Sequence, residues 1–242
     1  MPPEALTRIE SHDKVIKLLS TKKRGRILDI PCGHGALAIR LRALGFEVSC
    51  ADIDTKLFEV DALEVMECNL NDTLPYDGNS FDYIACVAGI HRVHRLSEAI
   101  EEFNRILVPG GELIISFPNY ATLERRIKFL LTGSISKSVD RMAFHTHYSE
   151  HADSHFRHLL LFPQIFFALS KAGFQITGVA GDKFKWKALC YFPFIASLWI
   201  AVRLLPKKIK NKYVLHKTSS IDILLGGNNL IVTAVKRQGE GK

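Results

Sequence analysis

Short apolar runs alternate with amphipathic stretches along the first 120 residues of the chain. The runs are partly β-branched and are bounded by Gly, Asp, Asn or Pro, as is typical of parallel strands covered on both faces. They lie at Arg26–Ile30, Val48–Ala51, Val65–Met66, Tyr83–Ala88 and Leu113–Phe117. Ala36–Leu44 and Leu96–Leu107 have the apolar spacing of helices, with Ser97 as the candidate N-cap of the second. This alternation predicts a doubly wound α/β sheet with right-handed crossovers.

The second half of the chain begins with a mostly helical pattern. Thr122–Leu131 and Phe162–Ala172 have the clearest helical spacing, and we interpret residues 120–172 as a helical cap. Two late strands are predicted at Gln175–Ala180 and Leu230–Val235. Residues 183–220 form an insertion before the last strand, and the length of 242 residues suits a single domain over 1–242.

The most informative motif is a predicted strand that leads into a glycine-rich turn and a helix, at Arg26–Gly35. Gly33 and Gly35 let the backbone approach a ligand closely, and the helix behind them offers free N–H groups to an anionic group. The next strand ends with Asp52 and Asp54, where an acidic residue suits a ribose hydroxyl pair. We expect one of these acids to be a solvated loop residue or a helix N-cap. A third glycine is lacking, which argues against a dinucleotide.

Several stretches resemble the motifs of class I S-adenosylmethionine-dependent methyltransferases. The resemblance covers residues 24–120 motif by motif, and 150–182 and 224–237 more loosely. The matching stretches are Ile27–Gly35, Val48–Asp54, Asn69–Tyr76, Asn79–Cys86 and Arg105–Asn119. It implies a Rossmann-like, mostly parallel seven-stranded sheet, S-adenosylmethionine as cofactor and S-adenosylhomocysteine as product.

The resemblance also implies roles for particular residues. Asp29 and the glycine turn would hold the methionine end of the cofactor, and Asp52 would hold the ribose hydroxyls. Ile53 would pack on the adenine, Asn69 and Leu70 would meet its edge, and Cys86 to Ala88 would close the pocket near the sulfonium. The expected cofactor-binding residues are Asp29, Pro31, Cys32, Gly33, His34, Gly35, Asp52, Ile53, Asn69, Leu70, Cys86, Val87 and Ala88.

The chain departs from the family pattern at three places. Pro31 stands at the first glycine of the turn, and Asn69 stands where an Asp is common. Relatives resemble Glu-Gly-Ile-Glu-His-Leu where this chain has Ala88–Val93, so two acids have become Ala88 and His91. The loss of these acids leaves an alternative open, in which the chain binds the cofactor but is a catalytically inactive partner protein.

Histidines supply the candidate catalytic groups, because methyl transfer to a hydroxyl gains from a base for its proton. His91 follows the fourth strand on the cofactor side, and the alternative for it is an exposed loop histidine. His155 lies in a histidine-rich run at residues 145–158 and is the second candidate, as a base or an acceptor-binding residue, with a structural role as the alternative. The spacing of this run would bring only two histidines together, so we predict no metal site.

The basic residues are concentrated in one segment. The net charge is +7, which favours an anionic partner, and residues 183–217 contain nine basic residues and no acid. The uncharged run Ala188–Val202 has 15 residues, fewer than the ~20 that span a bilayer, and is interrupted by Pro193. An in-plane helix on an anionic membrane, with Trp199 at the interface, fits this composition, and a helix packed over the sheet is the alternative. No nucleic-acid partner is expected.

The five cysteines do not indicate a disulfide framework, since their number is odd. The amino-terminal residues lack the apolar core of a secretory signal. Four of them recur every 18 residues near the ends of different predicted strands, and we expect small buried apolar side chains rather than metal ligands. We therefore predict a cytoplasmic protein, peripheral on the membrane face.

The cap would face a small-molecule or lipid-linked acceptor, methylated on a hydroxyl of a glycan or amphipathic molecule. A quinone-type small-molecule O-methyltransferase is the second enzyme hypothesis.

Overall fold

The structure is a computed structural model that describes residues 3–134, 158–184 and 191–238. A seven-stranded sheet forms its centre. The strands are β1 (Arg26–Asp29), β2 (Glu47–Asp52), β3 (Val65–Glu67), β4 (Phe81–Val87), β5 (Leu107–Pro118), β6 (Phe174–Gly181) and β7 (Asn229–Lys236). The helices of the first two described ranges are α1 (Ile9–Ser20), α2 (Ala36–Ala43), α3 (Leu96–Ile106), α4 (Leu123–Thr132) and α5 (Phe162–Lys171). Those of the last range are α6 (Phe192–Leu204), α7 (Lys207–Lys212), α8 (Leu215–Thr218) and α9 (Ile221–Leu224).

The strands lie in the order β3-β2-β1-β4-β5-β7-β6. The first five are parallel, and β7 is antiparallel to both β5 and β6. The chain winds outward from β1 in one direction and then returns to place β4 on the other side of β1. Ligands of such sheets bind beyond the carboxyl ends of the strands at this switch point. The doubly wound, mostly parallel seven-stranded sheet is confirmed.

Both faces of the sheet are buried, as expected from continuous apolar strands. Leu28, Ile84 and Ile115 face α3 and α5 in one apolar cluster. The neighbouring residues Ile27, Ala85 and Ile114 face α1 and α2 in the other. This alternation explains why the strands appear in the sequence as apolar runs rather than as an apolar and polar alternation.

The structure corrects the expected N-cap of α3. The cap position is Arg95, without a side-chain cap, and Ser97 lies in the first turn. Contacts with Asn71 define this helix start, because its side-chain oxygen accepts from the His94 amide at 2.6 Å and its carbonyl accepts from the Arg95 guanidinium at 3.1 Å. These tertiary hydrogen bonds hold in place the residues that lead into α3.

Two further expectations differ from the structure. Strand β5 begins at Leu107 rather than Leu113, because the turn residues pair with β4 through an irregular register between Phe81 and Tyr83. Helix α5 packs its buried side against β6 and α3, so the interpretation of residues 120–172 as a cap does not extend to it. Residues 135–157 of that range lie outside the described residues.

The insertion lies between β6 and β7, as the sequence predicts, and its helices pack with α4. Leu123 and Ile127 of α4 meet Ile195, Leu198 and Trp199 of α6 and two leucines at the end of α9. The Trp199 indole points into this cluster and donates to the Ser219 carbonyl at 2.6 Å, so it is not the interfacial residue that the sequence suggested. In the parts of the chain that the structure describes, no helix combines the length and apolar character needed to cross a bilayer.

Candidate functional site

A cavity of about 540 Å³ opens at the switch point of the sheet. It is lined by Asp29 and Ile30 at the end of β1, by Asp52 at the end of β2, and by Val87 and Ala88 at the end of β4. Ordinary small-molecule sites have volumes of about 300–1,000 Å³ and combine apolar walls with a few polar groups. The cavity lies where the doubly wound fold binds its ligands.

The glycine turn forms one wall of this cavity. Gly33 and Gly35 have φ values of +52° and +85°, which side chains other than glycine rarely adopt. The Gly33 amide donates to Asp52 Oδ2 at 2.7 Å, and the Cys32 amide donates to the Ala51 carbonyl at 3.0 Å. These two bonds attach the turn to the end of β2 and bring two predicted site segments together.

Two carboxylates lie in this part of the cavity. Asp29 is 1% exposed and its Oδ2 has no hydrogen-bond partner. Burial and the nearby Asp52 charge raise the pKa of Asp29 well above its ordinary value. Burial also raises the pKa of Asp52, although the amides of Gly33 and Asp54 donate to it and oppose that shift. A ligand that brings a positive charge or hydroxyl donors would stabilise both carboxylates.

The second acid of the pair after β2 has a structural role. Asp54 is buried and caps the 3₁₀ turn Thr55–Leu57, where its side chain accepts from the Lys56 amide at 3.2 Å. Of the two acids that the sequence offered, Asp52 is therefore the one bonded to the glycine turn, and the expected N-cap role of the other is confirmed.

The residues expected on the adenine side also line the cavity. They are Ile53, Asn69 and Leu70. The Asn69 side-chain oxygen accepts from the backbone amide of Asn71 at 2.9 Å, which fixes the loop after β3. Two apolar side chains and one polar one thus line the same region of the cavity.

The residues at the end of β4 have two different positions relative to the cavity. Val87 and Ala88 line the cavity, whereas Cys86 is fully buried and is not part of the lining. Burial raises the pKa of the Cys86 thiol to about 12. A Cβ on Gly89 would lie 3.0 Å from the Sγ of Cys86 and 2.2 Å from Pro31 Cδ. Cys86 therefore packs against the turn at Gly89. Gly35 is likewise outside the lining, as the N-cap residue of α2.

The two histidine candidates have different outcomes. His91 is buried in the 3₁₀ turn Ile90–Arg92, lines the cavity, and its carbonyl accepts from the His158 amide at 2.7 Å. It is therefore not an exposed loop residue. His155 lies outside the described residues. Pro31, Cys32 and His34 complete the expected residues that line the cavity.

The amino-terminal segment is a part of the site that the sequence reasoning missed. Leu6, Arg8 and His12 line the cavity, as does Asn229 at the start of β7. Asn229 donates to the Ser11 hydroxyl at 2.9 Å and thereby joins α1 to the sheet. The buried positions of α1 are spaced as one helix face, at Ser11, His12, Val15 and Leu19, and this was the signal available in the sequence.

His12 is an uncharged member of the site. It is 6% exposed, and its Nδ1 has no hydrogen-bond partner. Burial, and secondarily the positive charge of Arg40, lower the pKa of His12 to about 4. Its imidazole is therefore neutral at physiological pH. The described residues contain no group of three or more His, Cys, Asp or Glu side chains placed to hold a metal ion.

Known proteins share this sequence pattern and fold. A family model described as a methyltransferase domain matches residues 6–178. A demethylmenaquinone methyltransferase of Clavibacter sepedonicus is 33% identical over 98 residues, which are 37% of this chain and 40% of that protein. One of Staphylococcus aureus (strain JH9) is 32% identical over 120 residues, which are 46% of this chain and 50% of that protein. The matches thus span half or less of these curated relatives.

A solved structure extends the comparison over the whole fold. A SAM-dependent methyltransferase from Archaeoglobus fulgidus superimposes with a TM-score of 0.59 at 15% identity, over 93% of this chain and 94% of that one. At this identity the likeness concerns the fold. The doubly wound sheet and the cavity at its switch point define a nucleotide-binding α/β domain. The family match covers most of the chain, which therefore belongs to the methyltransferase-domain family, as a class I S-adenosylmethionine-dependent member.

Proposed function

We propose that the chain transfers a methyl group from S-adenosylmethionine to a hydroxyl oxygen of an amphipathic or lipid-linked acceptor. The observation that carries the cofactor half of this proposal is the buried Asp29 carboxylate beside the glycine turn. One of its oxygens has no hydrogen-bond partner, and burial together with the Asp52 charge raises its pKa. An ammonium group on the ligand would supply a positive charge that stabilises the ionised carboxylate.

The residues present fit the family's cofactor. In this proposal Asp29 accepts from the ammonium group, and the turn from Pro31 to Gly35 leaves room for the carboxylate beside its amides. Asp52 accepts from the ribose hydroxyls, since each carboxylate oxygen has more than one acceptor position. Ile53, Leu70 and Asn69 surround the adenine. When bound, the cofactor supplies a methyl group on a sulfonium that is already activated for displacement.

We assign the positioning of the acceptor to the region around His91. Its carbonyl accepts the hydrogen bond from the His158 amide, and Ala88, which also lines the cavity, has a small side chain where the family resemblance implies an acid. A neutral imidazole at this place would take the hydroxyl proton as the acceptor oxygen bonds to the methyl carbon. Positioning of donor and acceptor accounts for most of the remaining rate gain.

A second candidate function follows from the names of the curated relatives. Both are demethylmenaquinone methyltransferases, which favours a quinone-type small molecule as an alternative acceptor. Both acceptor classes are amphipathic, and the basic segment 183–217 would hold the chain on the cytoplasmic face of an anionic membrane in either case. The remaining alternative is the inactive partner protein.

Calorimetry with S-adenosylhomocysteine tests the cofactor site. In Gly33→Ala the new Cβ would lie 2.9 Å from Leu6 Cδ1 at a φ of +52°, and we expect a loss of affinity of roughly tenfold or more. Gly133→Ala is the matched control, because its φ is +65° with no heavy atom within 4 Å of the new Cβ. Equal loss in both variants, or none in Gly33→Ala, contradicts the assigned site.

Labelled S-adenosylmethionine separates the three functions. Transfer of label into the lipid-linked glycan fraction of a cell extract supports the first acceptor, and transfer into a quinone fraction supports the second. His91→Gln is expected to lower the rate of transfer while leaving affinity for S-adenosylhomocysteine unchanged. Binding of the cofactor product without transfer to any fraction supports the inactive partner.

A further inference from the structure

Helices α4 and α6 expose large apolar side chains to an unusual extent. Leu130, Leu131 and Leu204 are 83%, 77% and 81% exposed. Phe129, Phe194 and Ile200 are at least half exposed on the same two helices. Scattered apolar residues are normal on a protein surface, but a concentration of this kind marks an interaction site.

The two helices form one structural unit. On α6, Ile195, Leu198 and Trp199 point inward at positions i, i+3 and i+4, against Leu123 and Ile127 of α4. Ile200 and Leu204 are on the opposite side of α6, because they are five and nine residues beyond Ile195 on a helix of 3.6 residues per turn. The last turn of α4 extends beyond the shared cluster. We call the exposed apolar set of Phe129, Leu130, Leu131, Phe194, Ile200 and Leu204 the α4–α6 face.

Basic residues outnumber acidic ones on the segments that carry this face. Residues 119–134 and 191–222 contain nine Lys and Arg but only the acids Glu124 and Asp222. Lys207 and Lys208 begin α7 immediately after α6 and Pro206, and they form no ion pair with the residues that the structure describes. An anionic lipid surface therefore complements the α4–α6 face, because its headgroups are negatively charged and its acyl boundary is apolar. A protein partner would need both an apolar area of the same size and acidic residues around it.

The face adjoins the cavity. Helix α4 follows β5, whose last residue Pro118 lines the cavity, and α9 leads to Asn229, which also lines it. The Asn119 side chain joins the two ends by donating to the Ile223 carbonyl at 3.0 Å. A surface that holds α4 and α6 thus holds the rim of the cavity.

We propose that the α4–α6 face docks in the plane of an anionic lipid bilayer, with the lysines of α7 on the headgroups. The 13-residue α6 is too short to span a bilayer, so its exposed apolar side chains would contact the bilayer with the helix lying in the membrane plane. The docking itself does not depend on the proposed function. Only its purpose, to bring the cavity to an acceptor held in the membrane, rests on that proposal.

Co-sedimentation of the full chain with vesicles tests the apolar part. Vesicles of phosphatidylcholine with phosphatidylglycerol are compared with phosphatidylcholine alone. Phe129→Ser combined with Ile200→Ser is expected to lower the partition coefficient on the mixed vesicles roughly tenfold, because apolar area leaves the acyl boundary. Phe167→Ser on α5 is the matched control, since Phe167 is 51% and Phe129 50% exposed, and it should bind as the wild type does.

A charge-matched pair tests the basic part. Lys207→Gln, Lys208→Gln and Lys212→Gln together should reduce binding to mixed vesicles at least tenfold at low salt, at ~1 kcal/mol for each lysine near the surface. Lys14→Gln, Lys17→Gln and Lys23→Gln remove the same charge elsewhere and should have little effect. Trp199→Phe should also leave binding unchanged, because the indole points inward.

The outcomes separate this inference from the proposed function. Equal binding to both vesicle types, or equal losses in a test variant and its control, overturns the docking face. A dimer in sedimentation analysis that only Phe129→Ser with Ile200→Ser dissociates assigns the face to a second copy and also overturns it. Vesicle binding without affinity for S-adenosylhomocysteine supports the docking face and contradicts the proposed function. Affinity for S-adenosylhomocysteine without vesicle binding contradicts the docking face and is consistent with the proposed function.

Discussion

At the scale of single residues, burial disfavours the charged forms of the ionisable side chains Asp29 and His12, which line the cavity. The pKa of Asp29 is raised and that of His12 is lowered, because each group is surrounded by protein rather than water. A cationic ligand group reverses the shift of Asp29. We therefore expect a cationic ligand group beside Asp29 to favour loss of the proton from this carboxyl group.

Affinity for S-adenosylhomocysteine should rise with pH. The carboxyl of Asp29 has its pKa raised above 3.8 in the free protein, and an ammonium group beside it lowers that pKa on binding. Binding consequently releases protons at pH values below the free pKa. Calorimetry in buffers of different ionisation enthalpy measures the release. Asp29→Asn should bind about tenfold or more weakly and without this pH dependence, and a variant that keeps the wild-type pH profile contradicts the role of Asp29.

His12 should make the fold sensitive to acid. Its pKa is about 4 in the folded chain against 6.5 for the ordinary group. Between these values the unfolded chain binds a proton that the folded chain does not, so the free energy of unfolding falls as pH decreases from 6.5 to about 4. The expected loss is about 3 kcal/mol.

Urea unfolding at several pH values measures this loss. His12→Gln should remove most of the acid dependence, whereas His216→Gln, at an exposed position on α8, should keep it. An unchanged pH dependence in His12→Gln shows that other groups cause it.

At the scale of elements, the sequence predicts most strands and helices but not what fixes their ends. The apolar runs predict β1, β2 and β4 because the inner residues of these strands are buried, whereas the short edge strand β3 has no buried residue. The N-cap of α3 and the start of β5 differ from the prediction, since the bond from His94 to Asn71 and the pairing of Leu107 with Phe81 are long-range contacts that no local pattern contains.

The sequence predicts those parts of the candidate site whose residues lie in a local motif at the end of a strand. The glycine turn, Asp52 and Ala88 are of this kind, because each lies at the end of a strand in the motif order. Helix α1 was missed although it forms part of the cavity wall. The local pattern does not show that its polar residue Ser11 is buried against the sheet, where it accepts a hydrogen bond from Asn229, more than two hundred residues away.

At the scale of the whole molecule, charge is segregated. The net charge is +7, yet nine basic residues and no acid lie in residues 183–217. The rest of the chain therefore has a small acidic excess. Such a molecule has a preferred orientation above an anionic surface, with the basic insertion toward it and the rest away.

Methyl transfer to a membrane-held acceptor should therefore depend on salt. The Debye length falls from ~10 Å at about 0.1 M to ~3 Å at about 1 M ionic strength. The rate with an acceptor in anionic vesicles should fall severalfold over that range, while the rate with a water-soluble analogue should change little. Equal salt dependence for both acceptors shows that salt acts on the catalytic site rather than on attachment.

The insertion has a narrow neck. Gly181 pairs with Leu230, the Asp182 amide donates to the Asn229 carbonyl at 3.0 Å, and Phe184 forms a bridge with Gly226. The described residues between these bridges lie outside the sheet, in the connection between its antiparallel strands β6 and β7. Insertions at such points are exchanged in evolution without change to strand register, because lengthening a loop costs little. The helical unit can therefore vary between family members independently of the nucleotide site, provided that α4, which shares its apolar cluster, varies with it.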